Sequence, residues 1–395
     1  MKYRNNGKQI LLVASGMSPQ VLTETLFALV HQEKPFIPDE IHLVTTAVGR
    51  DKAVGALLNE GTGYFYRFCR DYGFSSGAFQ ADHIHTISDS QGCELSDIKT
   101  PKDNEAAADT ITALIASLTS DPDATLHVSL AGGRKTMSYY TGYALSLYGR
   151  RQDQLSHVLI SDGYEGCPEF YYPTPASQMI TSHRGEPLDA ALAQVTLAHI
   201  PFVRLREDLP TRFLEGTTGF SETVKRMGKV DEPKHLVLDI PNRAIKLSGI
   251  RFDLAERELE FAFLLMFVRN LLESGEEAGF EVPRKGPGQF AISKYFLTAL
   301  CEIKGVSYTA DWSELKNRLN DAEVQDRTLN SLENKDGSSS AMKDSFYSQR
   351  RNALLTLFRK ELGKALAGCY LPQAKDDRGG YHALNLEAGQ ITLLS

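Results

Sequence analysis

The sequence predicts an α/β protein: a parallel sheet flanked by helices in its first half, then a mostly helical unit that closes in winged helix-turn-helix order. Three observations carry this expectation. Short apolar runs alternate with longer stretches of helical periodicity between Gln9 and Ser161, as strand–helix–strand repeats require. The alternation fails from about Phe202 to Lys234, where the chain is polar and rich in Gly, Pro and charge. Beyond it amphipathic patterns dominate, and the end of the chain reads as a helix, a hairpin-like turn and a strand.

The elements follow in order. QILLVAS, ending at Ser15, is a buried strand, and Val21, Leu22, Thr25, Leu26 and Leu29 come next at helical spacing behind Pro19, whose missing N–H costs nothing in a first turn. EIHLVTT is a second strand, followed by a long helical stretch through Arg70. HIHTIS is a third strand, and a helix begins just after Pro101. TLHVSLA is the fourth, KTMSYYTGYALSLYG its helix and LSHVLIS the fifth. EFYYP adds an edge strand ended by Pro173 and Pro175. Repeats of this kind build a parallel sheet with right-handed crossovers and helices on both faces. In the second half, AERELEFAFLLMFVRNLLES, DWSELKNRLNDAE and SQRRNALLTLFRKELGKALAG are helices, the last capped by Gly368, and ENKDGSSSAMKD is a mobile polar loop. The wing tip falls at Asp376 to Gly380. The expected domains are residues 1–205, a linker at 206–234, and residues 235–395.

Composition narrows the function. A chain of 395 residues can bury two cores. Its net charge of −7 argues against non-specific binding of polyanions, so any anion site is local. No apolar run approaches membrane-spanning length and no signal-peptide pattern is seen, so a cytoplasmic protein without a membrane partner is expected. Five scattered cysteines (Cys69, Cys93, Cys167, Cys301, Cys369), none in a C-x-x-C pair, read as reduced thiols rather than zinc ligands. No metal and no cofactor is expected.

Two strand ends are specialised. In an open parallel sheet, ligands bind beyond the carboxyl ends of the strands. Ser15-Gly16-Met17-Ser18-Pro19-Gln20 follows the first strand, and Gly132-Gly133-Arg134-Lys135-Thr136-Met137 follows the fourth. Gly16 permits a tight turn, Ser18 offers a hydroxyl, and the helix after Pro19 presents free N–H groups. Gly132 and Gly133 let backbone approach a ligand, Arg134 supplies a planar fork and Lys135 a mobile charge. Together these groups suit a phosphorylated ligand. AGGRKT is not a P-loop, because Arg134 stands where the Gly before the Lys should be and Val128 where the earlier Gly should be. SGMSPQ lacks the last Gly of a nucleophile elbow. His83 and His85 share one face of a strand and read as surface or core residues rather than metal ligands, and His127 and His157 as strand residues.

ASGMSPQVLTETLFAL and LAGGRKTMSYYTGYALS together resemble the CARF domain, the Rossmann-like sensor of CRISPR type III antiviral defence. HVLISDGYEGCPEFYYPTP and IPFVRL are similar to the NE0113-type branch of CARF ring nucleases, which also carries the Csm6 label. The resemblance covers roughly Gln9 to Leu205. It implies a homodimer that binds a cyclic oligoadenylate, usually cyclic tetra-adenylate, across its two-fold axis, and cuts it without metal when a ribose 2′-OH attacks the adjacent phosphorus. By the same resemblance Ser18 orients the 2′-OH or a phosphate oxygen, Lys135 neutralises developing charge, and Arg134 binds or adds a second stabilising charge. Ser15, Gly16, Met17, Pro19, Gln20, Gly132, Gly133, Thr136 and Met137 line the ligand. Met17 replaces a common Thr, and Leu130 and Ala131 replace a common Asp and Thr.

The main alternative is a ligand-responsive transcription regulator that reads DNA through the winged helix without cleaving the ring. The last long helical stretch carries Arg350, Arg351, Arg359, Lys360 and Lys364, which read first as a solvated helix surface, and the wing tip is close to neutral, so DNA is not the favoured partner. An effector RNase is disfavoured, because neither His235 nor His382 follows an Arg at the required spacing. Glu314 and Lys316 alone do not make a nuclease triad.

Overall fold

The computed structural model describes residues 7–130, 132–210, 213–214, 219–228, 233–283, 290–335, 337–375 and 380–395. The chain divides into two compact units, Met1–Lys225 and Arg226–Ser395.

In the first unit, β1 (Gln9–Ala14) leads to α1 (Gln20–Val30), β2 (Glu40–Thr45), α2 (Ala47–Leu57), α3 (Tyr64–Tyr72), β3 (Ile84–Thr86), α4 (Pro101–Leu118), β4 (Thr125–Ser129), α5 (Lys135–Tyr148) and β5 (Gln154–Ile160). A hairpin of β6 (Met179–Thr181) and β7 (Pro187–Asp189) precedes β8 (Val195–His199) and α6 (Phe220–Gly228). The main sheet runs β3-β2-β1-β4-β5-β8 and is parallel except for β8, which pairs antiparallel with β5. Leu11, Leu12 and Val13 of β1 are wholly buried, which a central strand covered on both faces demands. The chain builds from β1 through β2 to β3, then returns to the other side of β1 as β4. The strand order therefore reverses between β1 and β4.

Three local expectations change. The long stretch through Arg70 is two helices, with Gly63 as the N-cap of the second. EFYYP forms no strand. Phe170, Tyr171 and Tyr172 are all buried in succession, so they lack the alternation of a half-buried strand. Tyr171 stacks on Tyr64 at 3.5 Å between ring centroids, and the Tyr172 hydroxyl donates to Asp71 at 2.9 Å. The edge strand is instead β8. Within the stretch read as a linker, α6 carries Phe220 against Tyr140 and Tyr143 of α5, and the Phe220 N–H donates to Asp109 of α4.

The second unit contains β9 (Leu236–Asp239), β10 (Ala244–Leu247), β11 (Ile250–Asp253), α7 (Glu258–Ser274), β12 (Phe280–Glu281), α8 (Phe290–Lys304), α9 (Trp312–Asp321), α10 (Asp326–Ser331), α11 (Asp344–Leu362), α12 (Lys364–Cys369), β13 (Gln373–Ala374), β14 (Tyr381–Ala383) and β15 (Ile391–Leu394). It is mostly helical, with sheets β11-β10-β9-β15 and β12-β14-β13. Phe261 to Val268 of α7 are buried on every side, so this helix is the core of the unit rather than an amphipathic surface element. Gly363, at φ 78°, separates α11 from α12, and Gly368 lies inside α12 instead of capping it. Glu333 and Ser340 close the polar loop with an antiparallel bridge that leads into fully buried Met342. Of the expected wing tip, 376–379 lie outside the described residues. Among the described residues no helix is long and apolar enough to cross a membrane.

Glu24 of α1 is only 4% exposed, and burial, helped by nearby Glu165, pushes its carboxyl up to about 8. The folded chain thus holds a proton that the unfolded chain releases near pH 4.5. Glu24 therefore contributes fully at low pH, and its contribution falls as pH rises toward 8. Half-buried His85 and buried His127, each pushed down to about 4 by loss of solvation, act in the opposite sense between about pH 4 and 6.5. Between about pH 6.5 and 8 the Glu24 effect is uncompensated. Urea unfolding of the first unit is expected to show stability falling there by up to about 1.4 kcal/mol per pH unit. Glu24→Gln should flatten that slope, and a wild-type curve that is already flat over this range would contradict the burial argument.

Candidate anion-binding site

The turns after β1 and β4 meet at the point where the strand order reverses, and they meet backbone against backbone. A Cβ on Gly16 would lie 3.0 Å from Gly133 Cα, and one on Gly132 would lie 3.4 Å from the Ala14 carbonyl oxygen. Gly133 has φ +91°, and a Cβ there would reach Met137 Sδ at 3.0 Å. Below the turns, Thr25 and Ser129 share a buried hydrogen bond of 3.1 Å between hydroxyls, fixing α1 to the end of β4. Ser15 is buried; its N–H donates to Val44 O at 3.1 Å and its hydroxyl to Ser18 O at 2.9 Å. These bonds aim the rest of the first turn outward.

The predicted residues separate into two groups. Met17, Ser18, Gly133, Arg134, Lys135 and Thr136 are exposed, and Gly16, Gly132 and Gln20 are partly so. Ser15, Pro19 and Met137 are buried and support the turns from beneath. Pro19 is the N-cap of α1, one position earlier than a first-turn proline. Gln20 opens α1, and its buried Oε1 has no hydrogen-bond partner among the described residues. Arg134 is the N-cap of α5 and Lys135 its first residue. Neither helix start has a side-chain cap or an acidic residue in its first turn, so both retain their affinity for an anion. The Ser18 hydroxyl and the Lys135 ammonium have no partner among the described residues, whereas Arg134 is engaged. Its Nε donates to Asp97 at 3.1 Å, and Nη2 donates to the other carboxylate oxygen. The guanidinium holds the Asp97 carboxyl below its usual range and keeps Nη1 for another acceptor.

The structure adds residues that sequence reasoning missed. The Thr45 hydroxyl, at the end of β2, donates to Gly16 O at 3.3 Å. The start of α2 packs so closely that a Cβ on Gly49 would sit 2.5 Å from that same oxygen. Arg50 of α2 pairs with Glu94. The segment between β3 and α4 thus supplies Glu94 to Arg50 and Asp97 to Arg134 across three neighbouring strand ends. Thr45, Thr46 and Gly49 could have been read as a third specialised strand end; Asp97, 37 positions from its partner, carries no such signal.

Two uncapped helix starts, one free ammonium, one fixed guanidinium and an exposed hydroxyl make an arrangement suited to phosphate esters. Gly133→Val should cost about 1–3 kcal/mol, through left-handed backbone strain and the clash with Met137. Arg134→Ala, at an exposed pair, should leave the urea midpoint unchanged. Equal losses for the two variants would contradict this assignment of roles.

The family model for the CRISPR-associated protein NE0113 matches residues 18–233, a span that includes Ser18, Pro19, Gln20 and the whole turn from Gly132 to Met137. No curated protein matches the chain. Among solved structures, Enterococcus italicus Csm6 bound to cyclic hexa-2′-fluoro-hexa-dAMP is similar at 10% identity and a TM-score of 0.27, over 90% of this chain and 84% of that one. Because the family match spans more than half of the sequence, the chain belongs to the CRISPR-associated NE0113 family.

Proposed function

We propose that residues 1–205 form a CARF sensor that binds cyclic tetra-adenylate across a homodimer and cleaves it, switching off type III CRISPR signalling. The observation that carries this reading is the contact between Gly16 and Gly133, which sets two uncapped helix starts side by side at the switch point of the sheet. A ring that repeats a phosphodiester around a symmetry axis matches such a site presented twice by two copies of the chain. Family membership favours a CRISPR role and does not by itself choose the ligand.

In the proposed reaction a ribose 2′-OH attacks its own 3′-phosphorus, the P–O5′ bond breaks, the 2′ proton is lost and the departing 5′ oxygen gains one. Two such events on opposite sides of the ring give two linear di-adenylates, each ending in a 2′,3′-cyclic phosphate. The substrate brings the nucleophile, so the protein has to align the ribose and stabilise charge on the phosphorane. Ser18 orients the 2′-OH or a phosphate oxygen. Lys135 neutralises the developing charge, and Arg134 presents Nη1 while Asp97 fixes its orientation. Ser15, Gly16, Met17, Pro19, Gln20, Gly132, Gly133, Thr136 and Met137 shape the cradle, the buried ones by support.

For residues 235–395 we propose a winged helix-turn-helix unit, with 206–234 connecting it to the sensor. The sheet order β12-β14-β13 supports this, with α7 before β12 and α8 to α12 between β12 and the β13–β14 hairpin. Two cations of α11 are engaged within the unit: Arg350 pairs with Glu260 at 2.8 Å, and Arg351 donates to Pro372 O at 3.0 Å. That weighs against the regulator reading, in which this helix would meet DNA.

The test is incubation of the purified chain with labelled cyclic tetra-adenylate in EDTA, with separation of the products. Linear di-adenylate is expected; tight binding with the ring intact would favour the ligand-responsive regulator, and absence of binding would refute both. Lys135→Ala should slow cleavage by about 10²–10³-fold, with a smaller effect on affinity. Full cleavage by that variant would remove Lys135 from the mechanism.

A further inference from the structure

The second unit contains a cavity of about 270 Å³ whose lining is unlike the apolar core beside it. Phe290, Tyr308 and Trp312 line it with aromatic residues, Lys294 adds one ammonium, and Ser339 and Ser340 add hydroxyls beside that of Thr309, which already accepts from the Asp311 N–H and donates to Glu314. Trp312 is a rigid wall. Its side chain is almost wholly buried, and its indole N–H donates to Glu333 Oε1 at 2.9 Å. Lys316 neutralises that carboxylate at 3.2 Å. Phe290 is the opposite case: at 52% exposure it is the most exposed large apolar side chain of this unit among the described residues. It stands one helical turn before Lys294 at the start of α8, where the first turn carries no acidic residue. The Lys294 ammonium has no partner among the described residues. Ser339 Oγ accepts from Asn334 Nδ2 at 3.1 Å, so its own proton is free to be donated.

We infer that this cavity binds a nucleoside 5′-monophosphate, the base lying against the aromatic walls and the phosphate meeting Lys294 and the two serine hydroxyls. Three chemical facts lead to that class. Aromatic walls bind planar rings in preference to aliphatic chains. An ammonium with two hydroxyl donors matches the several oxygens of a phosphate better than a single neutral acceptor. The volume, just below the range of about 300–1,000 Å³ for small-ligand pockets, matches one nucleotide unit rather than several. The site belongs wholly to the second unit and stands independently of the reading given to the strand ends of the first.

Trp312 is the chain's one tryptophan, so its fluorescence reports on this cavity directly. The full-length protein would be titrated with adenosine 5′-monophosphate, adenosine and inorganic phosphate, with calorimetry alongside. The monophosphate should give a saturable change in fluorescence, and adenosine and phosphate should each bind at least about tenfold more weakly. Lys294→Ala should weaken the monophosphate about tenfold and leave the response to cyclic tetra-adenylate unchanged; Phe290→Ala gives a second variant on a solvent-facing side chain. The inference is overturned by a titration silent in both fluorescence and heat, or by adenosine binding as tightly as its monophosphate. It is equally overturned by unaltered affinity in both variants, or by a response that Lys135→Ala abolishes and Lys294→Ala spares.

Discussion

The structure of the candidate site depends on one steric constraint: the turn after β1 and the turn after β4 touch through glycine backbone. Only residues without Cβ atoms allow Gly16 and Gly133 to approach this closely, and only a glycine holds the left-handed conformation at position 133 without strain. The contact brings the starts of α1 and α5 together. Each helix alone would offer a weak, screened attraction to an anion. Side by side, above the buried central strands β1 and β4, they present two adjoining helix N-termini to one face of the unit. The hydrogen bond between Thr25 and Ser129 and the packing of Gly49 against Gly16 O hold that surface from two further directions.

The electrostatics of the surface are partly balanced before any ligand arrives. The segment between β3 and α4 places Asp97 on Arg134 and Glu94 on Arg50, so both guanidiniums are oriented and their charge is locally offset. The exposed Lys135 ammonium has no carboxylate beside it among the described residues. In the proposed reading a phosphate would face an exposed ammonium and a guanidinium already fixed in orientation, a division of labour that suits a flexible Lys and a planar Arg. The overall net charge of −7 fits this picture, because attraction for an anion is confined to one small region.

Much of the first unit was legible in the sequence because its signals are local. Apolar runs such as QILLVA and TLHVS, bounded by turn residues, read as strands, and Pro101 marks a helix start, which the structure closes with a Thr100–Asp103 capping box. The paired glycine turns announced themselves in the same way. The errors have physical causes. EFYYP has strand-like composition, but its consecutive aromatic residues are absorbed by packing against α3 and the adjoining core, and the edge fell to β8, whose five residues carry a weaker pattern. The strands β9 to β11 were overlooked although Ser248 and Gly249, both at positive φ, form the tight turn a hairpin needs. Gly368 looked like a helix cap, but Gly363 lies nearer the break and took that role. Asp97 could not be found, since its part is set by tertiary proximity to Arg134 and by nothing in its neighbourhood along the chain.

The account is tested most directly by a crystal structure of the chain with a cyclic tetra-adenylate analogue lacking the 2′-hydroxyls, so that the ring stays intact. The expected result is one ring between two copies of the chain, its phosphates within hydrogen-bonding distance of Ser18, Lys135 and the backbone at Gly132 and Gly133 in each copy. A ring bound elsewhere, or held by one chain with these turns facing open solvent, would contradict it.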